Sequence, residues 1–326
     1  MNITIDKNGH DNYDPELYNL LTSMPSTIPL YNSEHRLREP LGIYNVSSMR
    51  VAIAFKQMVN TLNNDDNSLN DDHCELISSI LAFVDDCYHI FKCFYSVSEL
   101  NGKKEPIFAD RWVRIVNESV VTSFKKDIEP FTGFAKIFNK VKHNHARYRN
   151  SKMNTAVGSI KGYYIEGADE NGHICPDTDI HPMWNKRYTS TSFNYDIKML
   201  LYCFYVIAGK AAHAIKQIIK TKHGLDIQQN FKDDTRNNLD NWNELIVNID
   251  KIPYLFHPDE YSKDIVPQFI FGDKIIHFRQ VAYRKFLNRF SRFNINGGEM
   301  ESLGDGVSKS FAIPYYYNPN FSNSPS

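Results

Sequence analysis

The sequence predicts a mainly α fold: a helical bundle carrying an inserted β-hairpin, followed by a smaller α+β C-terminal part. Three observations predict it. Apolar residues recur at three- and four-residue intervals over 73–96 and again over 195–222, the repeat of an amphipathic or buried helix. Between them, Gly158 to Glu166 carries β-formers around Tyr163, Tyr164 and Ile165, and the turn pair Asn171-Gly172 follows. A second pair of strand-like runs, Ile265 to Phe271 and Lys274 to Phe278, flanks Gly272-Asp273. The expected organisation is a bundle over residues 1–225, with its hairpin insertion at about 156–182, and an α+β accessory region over 226–326 packed on the bundle.

In chain order, Asp14-Pro15-Glu16 has the form of a helix start, Asp at the cap and Pro in the first turn, and the helix should stop before Pro25. A loop runs to Pro40. Asn45 to Thr61 is helical in pattern, with Val46, Met49, Ala52, Ile53, Phe55 and Val59 as its apolar positions. The polar run Asn63 to Asp72 reads as an exposed connection. The helix from His73 to Ser96 takes its stripe from Leu76, Ile77, Ile80, Leu81, Val84, Tyr88, Phe91 and Phe94. After a turn at Asn101-Gly102, one helix is expected from Ala109 to Lys126 and another from Pro130 to Arg149. The long helix Tyr195 to Lys222 should end at His223-Gly224, glycine being suited to the left-handed cap position. Beyond Asp226 a polar linker is expected, then the second hairpin, with residues 281–293 readable as helix or strand.

Composition is globular: hydrophobic residues make up 42%, charged residues 23% and aromatics 13% of the 326 residues. The formal net charge is −1, so nucleic-acid affinity would have to come from a local basic patch. The five cysteines are odd in number and form no CxxC pair, which argues against a disulfide framework or a common structural zinc site. The first residues lack the basic and apolar regions of a signal peptide, and Met199 to Gly209 is too short to span a bilayer. A cytoplasmic protein without membrane contact is the expectation. No Walker A loop, GxGxxG or GxSxG occurs, so no cofactor is implied.

The segment richest in candidate chemistry is Pro130 to Arg149, PFTGFAKIFNKVKHNHARYR. On a continuous helix Phe131, Phe134, Phe138, Val141, His145 and Tyr148 would share an apolar face, and Lys136, Lys140, His143 and Arg147 the opposite one. A solvated charged face with a core histidine explains the same pattern. The run Asn139-Lys140-Val141-Lys142-His143 is similar to uncharacterised bacterial helical proteins with Asn-x-x-Lys-His late in a helix, and the following GYYIEGADENG hairpin is familiar from them. More distantly, residues 45 to 222 resemble the HEPN superfamily of helical bundles. That resemblance implies RNA or nucleotide as partner, a homodimer, and a metal-independent ribonuclease of a toxin or defence system. It would make Asn139, Lys142, His143 and Arg147 catalytic, with Lys136 and Lys140 as phosphate contacts. The chain departs from the Arg-x(4–6)-His pair of active HEPN ribonucleases: Lys136 and Lys140 stand upstream of His143 and His145, and lysine lacks the arginine fork. A non-enzymatic interaction or dimerisation module is the competing expectation, marked by an exposed apolar patch.

Two smaller constellations were weighed. His173, Cys175, Asp177, Asp179 and His181 alternate in HICPDTDIHP, where a polar loop with Asx turns competes with a metal site. Basic residues with aromatics, Arg279, Arg284, Arg289 and Arg292 among Phe278, Tyr283, Phe286, Phe290 and Phe293, form a pattern that suits either single-stranded nucleic acid or ordinary packing.

Overall fold

Helices form where the periodicity is long, and a computed structural model shows how they assemble. It describes residues 3–6, 13–64, 68–143, 146–155, 158–170, 172–227, 242–263, 267–271, 275–280 and 314–315. The element order opens with β1 (Ile3–Asp6), α1 (Glu16–Ser23), α2 (Pro40–Asn64), α3 (Leu69–Lys92), α4 (Ala109–Val116), α5 (Glu118–Ile128) and α6 (Ala135–His143). It continues with β2 (Tyr148–Thr155), β3 (Gly158–Ala168), β4 (Ile174–Pro176), β5 (Thr191–Ser192), α7 (Phe193–His223), α8 (Trp242–Asp250), β6 (Pro267–Phe271) and β7 (Ile275–Gln280). The fold is mainly α with an inserted hairpin, as the patterning predicts. Among the described residues no helix is long and apolar enough to cross a membrane.

The spine is α7. Phe193, Ile197, Leu200, Leu201, Phe204, Ile207, Ala208, Ala211, Ile215 and Ile218 are all buried, so this helix is covered on most sides rather than along one stripe. Ser192 caps its start, accepting from the Tyr195 amide at 3.3 Å, and Gly224 ends it in the left-handed region with φ 66°. Helices α2 and α3 pair through Asp72, whose carboxylate accepts from Gln57, Thr61 and Ser68. Helix α8 joins the same core: Trp242 stacks on Phe204 with ring centroids 5.0 Å apart. Its last carbonyls are met by an unusual group, the buried ammonium of Lys198, which donates to the carbonyl of Ile249 at 2.7 Å. Burial pushes the Lys198 ammonium down to about 7.

The sheet against α7 is centred on β3. Strand β2 pairs with it antiparallel, from Tyr148 opposite Ile165 to Thr155 opposite Gly158, while β4 and β5 pair with other stretches of the same strand. Gly162 allows the close approach: a Cβ there would stand 2.4 Å from the Thr191 carbonyl oxygen and 2.6 Å from the His257 ring. The second hairpin forms as β6–β7, and β1 adds to it as a third strand, Ile3 opposite Phe278.

Four expectations are corrected. The helix expected to Arg149 ends at His143, because Tyr148 and Arg149 are drawn into the ladder with β3. The hairpin accordingly begins at Tyr148, ahead of 156. The single helix over 109–126 is two, broken at Asn117, whose side chain caps α5 by accepting from the Val120 amide. On α2, Ala52, Phe55 and Val59 are buried as expected, but Val46, Met49 and Ile53 are exposed, and Val51, Ala54 and Met58 are buried in their place. The linker from residue 228, the stretch 281–293 and the turn Gly272-Asp273 lie outside the described residues.

Candidate functional site

The residues singled out in the basic segment do not converge on one another. Asn139, Lys142 and His143 are exposed on the short α6, and Arg147 is exposed in the extended stretch leading into β2. Lys142 lies over the Phe138 ring, 5.0 Å from its centroid. Lys140 is bound to the loop after β4: its ammonium meets Asp177, and Asp179 at 3.3 Å. The hydrogen bond it donates to Asp177 holds the Lys140 ammonium above its ordinary range. His145 lies outside the described residues, as do Arg284, Arg289 and Arg292. Within HICPDTDIHP the loop reading holds for the amide of Asp179, which donates to Asp177 Oδ1 in an Asx turn. His181 is buried and accepts from the Ile165 amide at 3.0 Å. Among the described residues no three His, Cys, Asp or Glu side chains are grouped to hold a metal.

Lys136 is the exception. It stands at a cavity of about 320 Å³ between the α5–α6 connection and the first turns of α7. Phe131, Phe134 and Ile137 form one wall, Tyr195, Met199, Leu200 and Cys203 another, and Ile180 and Thr191 a third. Charge is confined to Lys136, Asp179, Lys263 and Asp196. The Lys263 ammonium lies 4.7 Å from the Tyr195 ring centroid.

The polar floor is a network that joins four elements. His73, in the first turns of α3, has no exposed side-chain surface, and its Nε2 stands 2.8 Å from Asp196 Oδ2. Its other nitrogen, Nδ1, meets the hydroxyl of Tyr148 on β2. Tyr163, mid-way along β3, donates to the same Asp196 Oδ2 at 2.6 Å. The His73 and Tyr163 rings pack with centroids 4.7 Å apart, and Phe193 closes the far side of His73 at 5.6 Å. Burial pushes both tyrosine hydroxyls well above their ordinary range, so they act as hydrogen-bond donors rather than phenolates.

Tyr163 and Asp196 both line the cavity, and Asp196 brings a charge to it, with 13% of its side chain exposed. Burial alone would raise its carboxyl, but the His73 hydrogen bond and charge, with Tyr163 and Lys263 adding to them, hold it below the usual range. Its position in the first turn of α7 adds the favourable end of the helix dipole. Oδ2 takes both protein donors, and Oδ1 accepts no hydrogen bond from the described residues. A fixed carboxylate thus presents one open oxygen at the bottom of a largely apolar cavity. Such an oxygen can accept from an N–H or O–H of a ligand, or take a proton from one.

None of His73, Tyr148, Tyr163 or Asp196 was expected as a site residue. A signal was present: His73 falls on the apolar stripe of Leu76, Ile77 and Ile80, and Asp196 on that of Leu200 and Cys203. A polar residue on a core stripe needs a partner, though the stripe does not say which. No protein-family model, curated protein or solved structure matches this chain.

Proposed function

We propose that this chain binds a nucleotide, free or as one residue of an RNA strand, in the cavity above Asp196. The observation that carries the reading is the open Asp196 oxygen set in a pocket with aromatic walls and two lysines. A base is planar, stacks on aromatic rings, and carries N–H donors for a carboxylate. A phosphate needs cations, and Lys136 and Lys263 supply them. Lys136 also begins the exposed cationic run through Lys142, His143 and Arg147, along which a longer strand would lie.

The test is equilibrium titration of the intact protein with AMP, GMP, CMP, UMP and a labelled single-stranded RNA octamer at low salt. Binding should weaken about 10- to 100-fold in Asp196→Asn, the range for removing a charge-assisted hydrogen bond. Lys136→Ala should lose a smaller factor and lower the salt dependence, as the loss of a phosphate contact does. Failure of all four nucleotides and the octamer to bind would sink the reading.

One observation favours the interaction-module alternative. Val46, Met49 and Ile53 share a face of α2 and stay exposed, Ile53 at 54%. The occupant this reading commits to is a second copy of the chain, since one apolar stripe can meet itself about a two-fold axis. Sedimentation of the same samples decides it: a dimer split by Ile53→Glu supports it, and a monomer at all concentrations removes it.

A further inference from the structure

Pro314 and Tyr315 return the end of the described chain to the edge of the site. The Tyr315 ring is buried with Met153 and Ile160, its centroid 5.1 Å from that of His257. Its amide donates to the Tyr188 carbonyl at 2.8 Å, and Arg187 Nη1 donates to the Tyr315 carbonyl at 3.4 Å. Its φ is 62°, in the left-handed region that a bulky residue enters only when its surroundings hold it there.

The hydroxyl shows what holds it. Tyr315 Oη accepts from the Ser190 amide at 3.2 Å, and it stands 2.8 Å from the Ser190 carbonyl and 2.5 Å from Asp259 Oδ1. One phenol proton cannot serve two acceptors. The count closes when Asp259 carries a proton and donates it to Tyr315 Oη, leaving the phenol to donate to Ser190. Beside it, Glu260 accepts three donors: the Ser192 amide at 2.8 Å, the Ser192 hydroxyl at 2.5 Å and the His257 amide at 2.8 Å. That is the donor set of an ionised carboxylate. The pair therefore holds one charge, on Glu260, and one proton, on Asp259.

We propose that Asp259 and Tyr315 form a proton-dependent latch, which clamps Pro314 and Tyr315 on the strap of residues 188–192 and so fixes one wall of the cavity. The strap carries Thr191, a cavity residue, and Ser192, the cap of α7; Lys263, another cavity residue, follows the pair by one turn. Burial raises both carboxyls against Lys263, so the pair keeps one proton between them, and the three donors on Glu260 with the two acceptors around Tyr315 Oη place it on Asp259. The other groups facing the latch are His257, pushed down to about 3 by burial, and Arg187 on the Tyr315 carbonyl. Loss of the Asp259 proton places a second negative charge beside Glu260 and draws the phenol proton from Ser190, so the clamp loosens as pH rises. The latch stands whatever the cavity binds, and it is tested without a ligand.

The test is hydrogen–deuterium exchange of the intact protein from about pH 5.5 to about pH 9, expressed as protection relative to the intrinsic rate at each pH. Protection over 188–192 and at Tyr315 should fall about tenfold across the range, while α3 amides stay constant. In Asp259→Asn the side-chain amide replaces the carboxyl proton as donor, so protection should stay high throughout. Tyr315→Phe should show low protection at every pH, which keeps the proposal testable if the asparagine variant fails to fold. Wild-type protection that ignores pH, a pH-dependent loss in Asp259→Asn equal to wild type, or full protection in Tyr315→Phe would each overturn it.

Discussion

Two buried acidic clusters flank the start of α7, and they behave oppositely. At the cavity, Asp196 is surrounded by His73, Tyr148 and Tyr163, and its carboxyl is held low. On the other side, Asp259 and Glu260 are buried next to each other, and their carboxyls are held high. Burial is common to both, so burial does not decide the outcome. The partners decide it: a basic ring and a hydroxyl outweigh burial at Asp196, whereas Lys263 and the hydrogen bonds at Asp259 do not, and Asp259 adds repulsion at Glu260. The first cluster keeps a fixed negative charge facing a cavity, and the second keeps a proton that can be lost.

The largest effect expected from breaking this contrast is at His73. His73→Ala removes a fully buried ring and the hydrogen-bond partner of a buried carboxylate, and leaving such a charge uncompensated costs about 3–5 kcal/mol. Denaturant unfolding should show that loss. A cost below about 1 kcal/mol, the scale of a surface pair, would mean that His73 does not hold the Asp196 charge.

An intermediate effect, opposite in sign at the two clusters, is expected from pH. The folded Asp196 carboxyl lies below its unfolded value, so its contribution is present above the unfolded value near 3.8 and is lost as pH falls through the folded one. Asp196→Asn should therefore cost most above about pH 4, with the cost shrinking in acid. The folded Asp259 carboxyl lies above its unfolded value near 3.8, so its contribution is full in acid and declines as pH rises toward the folded value. Asp259→Asn should gain on the wild type as pH rises from about 4. His181 and His257, both pushed down to about 3 by burial, destabilise every variant alike as pH falls below 6.5, so the comparison rests on differences between variants. Parallel pH profiles for the two substitutions would remove the contrast.

How much of this could be read in advance follows from the range of each interaction. The α3 and α7 stripes are local, and both helices form on them, although α3 starts four residues ahead of His73 and ends four before Ser96. Asn117 was a local signal as well, an N-cap residue followed by Glu118 and Ser119, and it splits a helix that spacing alone leaves whole. The end of α6 was not local: Tyr148 keeps helical spacing from Val141, but pairing with Ile165 on β3 takes it. The site is less local still, since His73 meets Tyr148 75 residues away and Asp196 123 residues away. Its polar members each sat on a legible stripe, and only the fold shows that the stripes face one another.

The smallest effect is expected where a cation meets carboxylates near the surface. Lys140 joins Asp177 and Asp179, with 27% of its own side chain, 12% of that of Asp177 and 76% of that of Asp179 exposed. Solvent screens such a pair, and exposed ion pairs are worth about 0.2–1 kcal/mol, so Lys140→Ala should cost no more than that in denaturant unfolding and less at high salt. The pair has the favourable partner sign of the Asp196 cluster with a partly exposed cation in place of the buried His73 ring, which makes it the control for the comparison. If Lys140→Ala costs as much as His73→Ala, partner sign alone sets the energies. If it stays near the surface range while His73→Ala does not, sign sets the direction of each cluster's effect and burial sets its size.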